Sequence, residues 1–104
     1  MSDVEQAARV QLLYRQVNEQ IHSVGRDVFD IPPDEPLSVV CECLNLSCVD
    51  RIQIATRDLQ RVRSSAAQFV VVPGHEAEWV EDVVERRPSY FVVAKDAALI
   101  ERLQ

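Results

Sequence analysis

The sequence lacks the features that mark several large classes of protein. It has only two glycines in 104 residues, no glycine-rich phosphate loop, no G-x-S-x-G elbow and no H-E-x-x-H helix. No stretch approaches the roughly 18 apolar residues that span a bilayer. Residues 1–10 contain acidic side chains and lack the apolar run of a signal or transit peptide. We therefore expect a cytoplasmic protein that does not bind membranes.

Positive charge is also scarce. The chain has 11 Lys and Arg residues and 17 Asp and Glu residues, which gives a formal net charge of −6. Such a surface repels phosphate backbones, which disfavours nucleic-acid binding. Four arginines form a local exception, and no aromatic residues are interleaved with them for base stacking. We interpret them as a solvated helix face rather than a docking site for nucleic acid or an acidic partner. They are Arg51, Arg57, Arg61 and Arg63.

Cysteine is sparse, and the three cysteines lie within eight residues as Cys41-x-Cys43-x4-Cys48. An odd number of thiols without a secretion signal disfavours a disulfide framework and suits a reducing cytosol. Three thiolates and one imidazole complete the tetrahedral Cys3His shell of a structural Zn²⁺ ion. We predict that His75 is the fourth ligand.

The histidine follows a turn sequence, Val72-Pro73-Gly74-His75. Proline fixes φ and glycine accepts a positive φ, as the central positions of a type II turn require. Because only one other glycine occurs in the chain, its use here indicates that the direction of His75 matters.

Other interpretations of this pattern stay open. Cys41 and Cys43 share the inner face of a predicted strand and would also suit a core. Redox chemistry is disfavoured, because one residue separates these cysteines whereas two separate the pair of a thioredoxin-like motif. If His75 does not bind, Asp50, Glu42 or Glu76 could replace it. Water could instead enter and leave an open catalytic position, with Glu42 or Glu76 as acid or base. We interpret His22 as a surface or half-buried histidine.

The N-terminal segment predicts an amphipathic helix over residues 2–24, capped by Ser2 and stopped by Gly25. We expect its apolar stripe to pack on a sheet, in preference to a partner helix, because the stripe is short for a coiled coil. The stripe comprises Val10, Leu13 with Tyr14, Val17, Ile21 and Val24.

The rest of the chain predicts short strands and helices. Alternation and turn signals indicate strands over residues 37–44, 49–55, 69–72 and 90–94. Helices are expected over residues 56–65, capped by Thr56, and over residues 97–103, capped by Asp96. Residues 76–87 suit either a helix or part of a hairpin, and we favour the hairpin, with residues 81–95 as two strands joined at residues 87–89. We expect Trp79 in the core or over the sulfurs rather than as an exposed anchor.

These elements predict one α+β domain with a small antiparallel sheet and flanking helices. Its parts are an N-terminal helix at 1–26, a proline-rich connector at 27–36 and a metal-stapled core at 37–104.

Several segments also resemble a known group of proteins. Over about residues 14–95 the chain resembles a group of small uncharacterised actinobacterial proteins, although Leu44 and residues 56–65 depart from the group's pattern. The resemblance implies that the cysteines and His75 form one site in a bacterial cytoplasmic protein, and it leaves activity open. The matching segments are Cys41–Cys48, Asp50–Ile52, Gln68–Glu76, Val83–Arg86 and Tyr90–Val93.

From the sequence we expect a zinc-binding module for protein interaction or regulation, with a protein partner or self-association. The helix at residues 2–24 and the arginine-bearing helix are the expected contact surfaces. The alternative is a small metalloenzyme with an open metal position.

Overall fold

The structure is a computed structural model that describes residues 2–104. It has an α+β fold with an N-terminal helix and antiparallel strands, as the sequence predicts, but the strands form two sheets instead of the single sheet expected. Of the described helices, none is both long and apolar enough to cross a membrane. In chain order the elements are α1 (Asp3–Asp27), β1 (Pro36–Val40), β2 (Arg51–Ala55), α2 (Thr56–Arg63), β3 (Gln68–Val71), β4 (Asp82–Arg86), β5 (Phe91–Ala94) and α3 (Ala97–Leu103).

Helix α1 begins as predicted but ends later. The Ser2 hydroxyl accepts a hydrogen bond from the Glu5 amide at 3.2 Å, which satisfies one of the free N–H groups of the first turn. Gly25 does not stop the helix, which continues to Asp27. Instead, the Gly25 backbone lies so close to Leu37 and Ile31 that an added Cβ would approach their side chains to 3.2 and 3.3 Å.

The buried face of α1 differs from the predicted apolar stripe. Leu13 is 52% exposed and Val17 is 41% exposed, so the prediction that the stripe packs on a sheet is wrong. The helix buries a neighbouring face that mixes small, apolar and polar residues: Ala7, Ala8, Gln11, Leu12, Arg15, Asn18 and Gly25. The polar members can be buried because they bind backbone and side-chain groups across the interface.

Sheet A pairs β1 with β2, in the register Leu37 to Ile54 and Val39 to Ile52. These four side chains share the buried face of the sheet, as their period of two predicts. Helix α2 follows β2 directly, and its Leu59 and Val62 side chains pack into the core. Ala55 occupies the N-cap position, so Thr56 does not cap the helix as predicted.

Sheet B has the strand order β3-β5-β4. The hairpin predicted for residues 81–95 is confirmed by the antiparallel pairing of β4 and β5. Strand β3 contributes Phe69, Val70 and Val71, all completely buried, and ends before Pro73. The cap predicted at Asp96 is also confirmed, since its carboxylate accepts from the Ala98 amide at 3.0 Å.

The two sheets meet just beyond the end of β1. The Glu42 amide donates to the Val70 carbonyl at 2.8 Å, so the chain passes from pairing with β2 to contacting β3. This junction brings the cysteine segment of sheet A beside the turn that follows β3. One apolar core continues beneath both sheets and includes Cys41 and Cys43.

Candidate metal centre

The structure brings all four predicted ligands into one cluster. The Sγ atoms of Cys41, Cys43 and Cys48 and a ring nitrogen of His75 lie within 4.8 Å of one another. The first three come from the loop between β1 and β2, and the fourth comes from the turn after β3. The cluster therefore joins the two sheets.

The cysteine loop folds back through a turn at Asn45. The Cys48 amide donates to the Asn45 carbonyl at 3.0 Å, and the Asn45 side chain accepts from the Ser47 amide at 2.9 Å. An asparagine side chain that binds the backbone two residues on is a common way to fix a tight turn. This turn returns Cys48 to the side where Cys41 and Cys43 lie.

His75 is positioned by the turn that its sequence predicts. The His75 amide donates to the Val72 carbonyl at 2.9 Å, and Gly74 has φ of 96°. A positive φ at the third residue and the bond from the fourth to the first are the features of a type II turn. The Glu76 carboxylate accepts from the Gly74 amide at 2.7 Å, so this acid supports the turn.

The distances within the cluster suit a tetrahedral ion. His75 Nδ1 lies 3.5 Å from Cys41 Sγ and 3.6 Å from Cys48 Sγ. Bonds of about 2.3 Å to sulfur and about 2.0 Å to nitrogen in a tetrahedron place sulfur and nitrogen about 3.5 Å apart. The spacing thus leaves room for an ion of the size of Zn²⁺ between Nδ1 and these sulfurs.

Asp50 lies behind the histidine instead of among the ligands. Its Oδ2 is 3.5 Å from His75 Nε2, the ring nitrogen that faces away from the sulfurs. Metal-binding histidines usually direct their second nitrogen to a carboxylate or carbonyl, which fixes the ring orientation and the tautomer. The sequence identified Asp50 only as a substitute ligand, because nothing in its position reveals which histidine nitrogen it faces.

Glu42 lies between two cysteines but has a different environment. Its carboxylate is completely buried, forms an ion pair with Arg63, and accepts from Asn18 Nδ2 at 2.7 Å and the Val70 amide at 2.9 Å. Its carbonyl accepts from Gln11 Nε2 at 3.1 Å. Burial raises the pKa of the Glu42 carboxyl, while Arg63, Asn18 and the Val70 amide oppose the rise.

These contacts give Glu42 a structural role that sequence reasoning missed. Adjacent residues of an extended chain point to opposite sides, so the bonds of Glu42 to α1, α2 and β3 fix the backbone that carries Cys41 and Cys43. The expectation that Glu42 could serve as a ligand, an acid or a base does not fit a carboxylate with these partners. The sequence does show an acid between two cysteines of a predicted strand. It does not show that the acid is buried, because its basic partner Arg63 is 21 residues away.

Without a bound cation, the Cys41 and Cys43 thiols resist loss of their protons. Burial raises the pKa of the Cys41 and Cys43 thiols, and the neighbouring Cys48 raises both further. One contact favours negative charge, since the Val72 amide donates to Cys41 Sγ at 3.2 Å. A divalent cation would convert the cluster from buried neutral thiols to coordinated thiolates, with release of protons.

A surface cavity of about 620 Å³ borders the cluster. Cys43, His75 and Trp79 are among the residues that line it. Trp79 is 62% exposed, so the prediction of a core tryptophan is wrong. The cavity gives solvent access to one side of the cluster.

The other candidate residues lie in structural contacts. His22 is half-buried on α1 and does not belong to the cluster. Among the arginines, Arg57 pairs with Asp34 and Arg61 with Glu85, while Arg51 donates to the Ser38 carbonyl. Arg63 was expected on the solvated face, but its ion pair with Glu42 draws it inward.

In comparisons with known proteins, no family model, curated protein or solved structure matches the chain.

Proposed function

We propose that Cys41, Cys43, Cys48 and His75 bind one structural Zn²⁺ ion in a domain that serves protein interaction or regulation. The observation that carries the proposal is the convergence of the four ligand atoms within 4.8 Å from two separate loops. Chance burial accounts for Cys41 and Cys43 in a core, but not for a histidine nitrogen that faces two sulfurs. Four protein ligands leave no position for water, which favours a structural ion over a catalytic one.

The interaction role is supported by what remains at the surface. Exposed apolar side chains on α1 and around Trp79 lie outside the core and provide surface for a partner. Zinc would act on this role by holding the loops that border the surface.

Elemental analysis and a chelator melt test the zinc proposal. Untagged protein should contain about one zinc per chain, and a strong chelator should lower its melting temperature, because ion binding contributes to folding. His75→Ala and Cys48→Ser should lose zinc. His22→Ala changes the other histidine and is the matched control, so it should keep zinc. A wild-type protein with little zinc and an unchanged melt in chelator would contradict the proposal.

The second candidate is an enzyme in which water replaces one of the four ligands. The cavity beside Cys43 and His75 favours it, since a substrate would need such access. Cobalt substitution separates the two candidates. A closed Cys3His site should keep its visible spectrum when azide or thiocyanate is added, whereas an open site should bind the anion and change colour.

A further inference from the structure

Packing within the chain does not explain the apolar stripe of α1. Val10, Val17 and Val24 recur every seven residues, with Leu13 and Gln20 three residues after the first two. These are the a and d positions of a heptad pattern, where apolar side chains form the contact between two helices, and Gln20 is the polar member of this set. The exposure of Leu13, Val17 and Val24 shows that the pattern is not used within the chain.

This stripe is unusual because it carries no charge in a strongly charged chain. Charged residues make up 27% of the sequence, yet the a, d and e positions from residue 10 to residue 24 are uncharged. A solvated helix face would normally carry charged side chains at such positions. The e positions add Tyr14 and Ile21, which are half-buried, and Ile21 also packs against the core, so only their exposed parts widen the apolar surface.

Charges at the edges of the stripe distinguish between possible partners. Arg9 and Asp27 are 18 residues apart, which is five helical turns, so they flank the same edge at opposite ends. In an antiparallel pair of identical helices, Arg9 of each copy lies beside Asp27 of the other. In a parallel pair these two residues stay at opposite ends of the helices, about 27 Å apart along the axis, and cannot meet.

The helix ends support the same orientation. Asp3 and Glu5 occupy the first turn and Arg26 the last, so antiparallel copies bring acidic and basic turns together. Arg9 has no ion pair with any residue from 2 to 104, whereas Asp27 pairs with the exposed Arg26 at 2.8 Å. A second copy would therefore supply Arg9 with a carboxylate.

Apolar surfaces also lie at both ends of the stripe. Near its start, Leu46 and Trp79 border a cavity of about 610 Å³ with Val10. Near its end, Phe29 is 70% exposed beside a cavity of about 380 Å³ that has Ile21 and Val24 in its wall. Antiparallel packing brings the Phe29 end of one copy to the Trp79 end of the other, and two-fold symmetry makes both contacts equivalent.

We propose that the chain forms a two-fold symmetric homodimer through antiparallel packing of the α1 stripe, with its axis near Val17. The inference rests on the interaction role in the proposed function and names the partner as a second copy. The dimer can be tested apart from the metal, because the stripe residues themselves are not members of the cysteine and histidine cluster.

Sedimentation equilibrium of the full, zinc-supplied chain tests the dimer. The wild type should form dimers in the micromolar range. Val17→Glu should weaken dimerisation at least about 100-fold, because two carboxylates would be buried at the centre of the interface. Val17 is exposed in the isolated chain, so the folded monomer should tolerate the change. Val84→Glu alters another exposed valine, on β4 and outside the stripe, and should leave dimerisation unchanged.

Charge reversal tests the orientation. Arg9→Asp and Asp27→Arg should each weaken the dimer, and the double variant should restore it. The proposal would be overturned if the wild type were monomeric at all concentrations or if Val17→Glu dimerised as tightly as the wild type. Failure of the double variant to restore dimerisation would also overturn it. Zinc measured in the same samples separates the proposals, since a zinc-loaded monomer contradicts only the dimer and a zinc-free dimer contradicts only the metal site.

Discussion

Asp50 shows how a single carboxylate can act through a ligand. It lies beside Nε2 of His75 and faces away from the sulfurs, so its charge would stabilise the ring orientation that presents Nδ1 to a metal. Asp50→Asn keeps the shape and removes the charge. We expect zinc affinity to fall about 10- to 100-fold, as with other partners of metal-binding histidines. Competition with a chromophoric chelator measures it.

The control for this variant is Asp34→Asn, which removes an exposed carboxylate paired with Arg57. Equal affinities of the two variants would show that Asp50 does not orient His75.

Gly74 is the residue that directs His75 towards the sulfurs. Its φ of 96° is strained for a side chain, although an added Cβ would meet nothing within 4 Å. Gly74→Ala should therefore lower the free energy of unfolding by about 1–2 kcal/mol through backbone strain alone. Urea denaturation of the zinc-loaded protein measures this change. Gly74→Asn should cost less, because asparagine tolerates positive φ better, and equal losses would argue against backbone strain.

At the scale of elements, Glu42 holds two helices and a strand around the cysteine segment. Glu42→Gln leaves the Arg63 charge half-buried without its carboxylate, and breaking such a pair typically costs about 3–5 kcal/mol. We expect a loss of this order in urea denaturation. The double variant Glu42→Gln with Arg63→Met should recover part of it, because the unpaired charge is then gone. A loss below about 1 kcal/mol for the single variant would contradict a structural role.

A second ion pair joins α2 to β4 at the edge of sheet B. Glu85 accepts from both terminal nitrogens of Arg61 at 2.8 and 2.9 Å, and these bonds, with a smaller contribution from Arg87, lower the pKa of the Glu85 carboxyl. A lowered pKa in the folded state means that the stabilisation is present above the unfolded pKa, near 4.3, and is lost as pH falls through the folded pKa.

We therefore expect Glu85→Gln to lower stability at neutral pH and to match the wild type at the acid end. The measurement is the difference in the free energy of unfolding between wild type and variant across pH 2–7. Glu78→Gln is the control, since Glu78 is exposed and the described residues offer it no ion pair. A difference that does not change with pH would contradict the assignment.

At the scale of the whole molecule, the metal cluster is where sheets A and B are joined. Removal of zinc should loosen that junction first. We expect hydrogen exchange in chelator to rise most in segments 41–50 and 72–81, while the buried strand β3 keeps its protection. Uniform acceleration along the chain would instead indicate that the ion stabilises the whole fold. His75→Ala should reproduce the chelator pattern without chelator.

The sequence by itself determined much of the local structure. Period-two alternation in Leu37 to Val39 and Ile52 to Ile54 identified the faces of sheet A, and Ser2 and Asp96 identified two helix caps, because these signals act within a few residues. The pattern Pro73-Gly74 also identified the turn that aims His75.

Only the tertiary structure decided which face of α1 is buried. Its interior side carries Gln11, Arg15 and Asn18, whose partners are remote in sequence, so hydrophobicity alone selected the wrong stripe. Tertiary structure likewise moved Arg63 inward to Glu42 and left Trp79 exposed. The cysteines were predicted as a group because they are neighbours in the chain, whereas their convergence with His75 depends on the contact between Glu42 and Val70 that joins the two sheets.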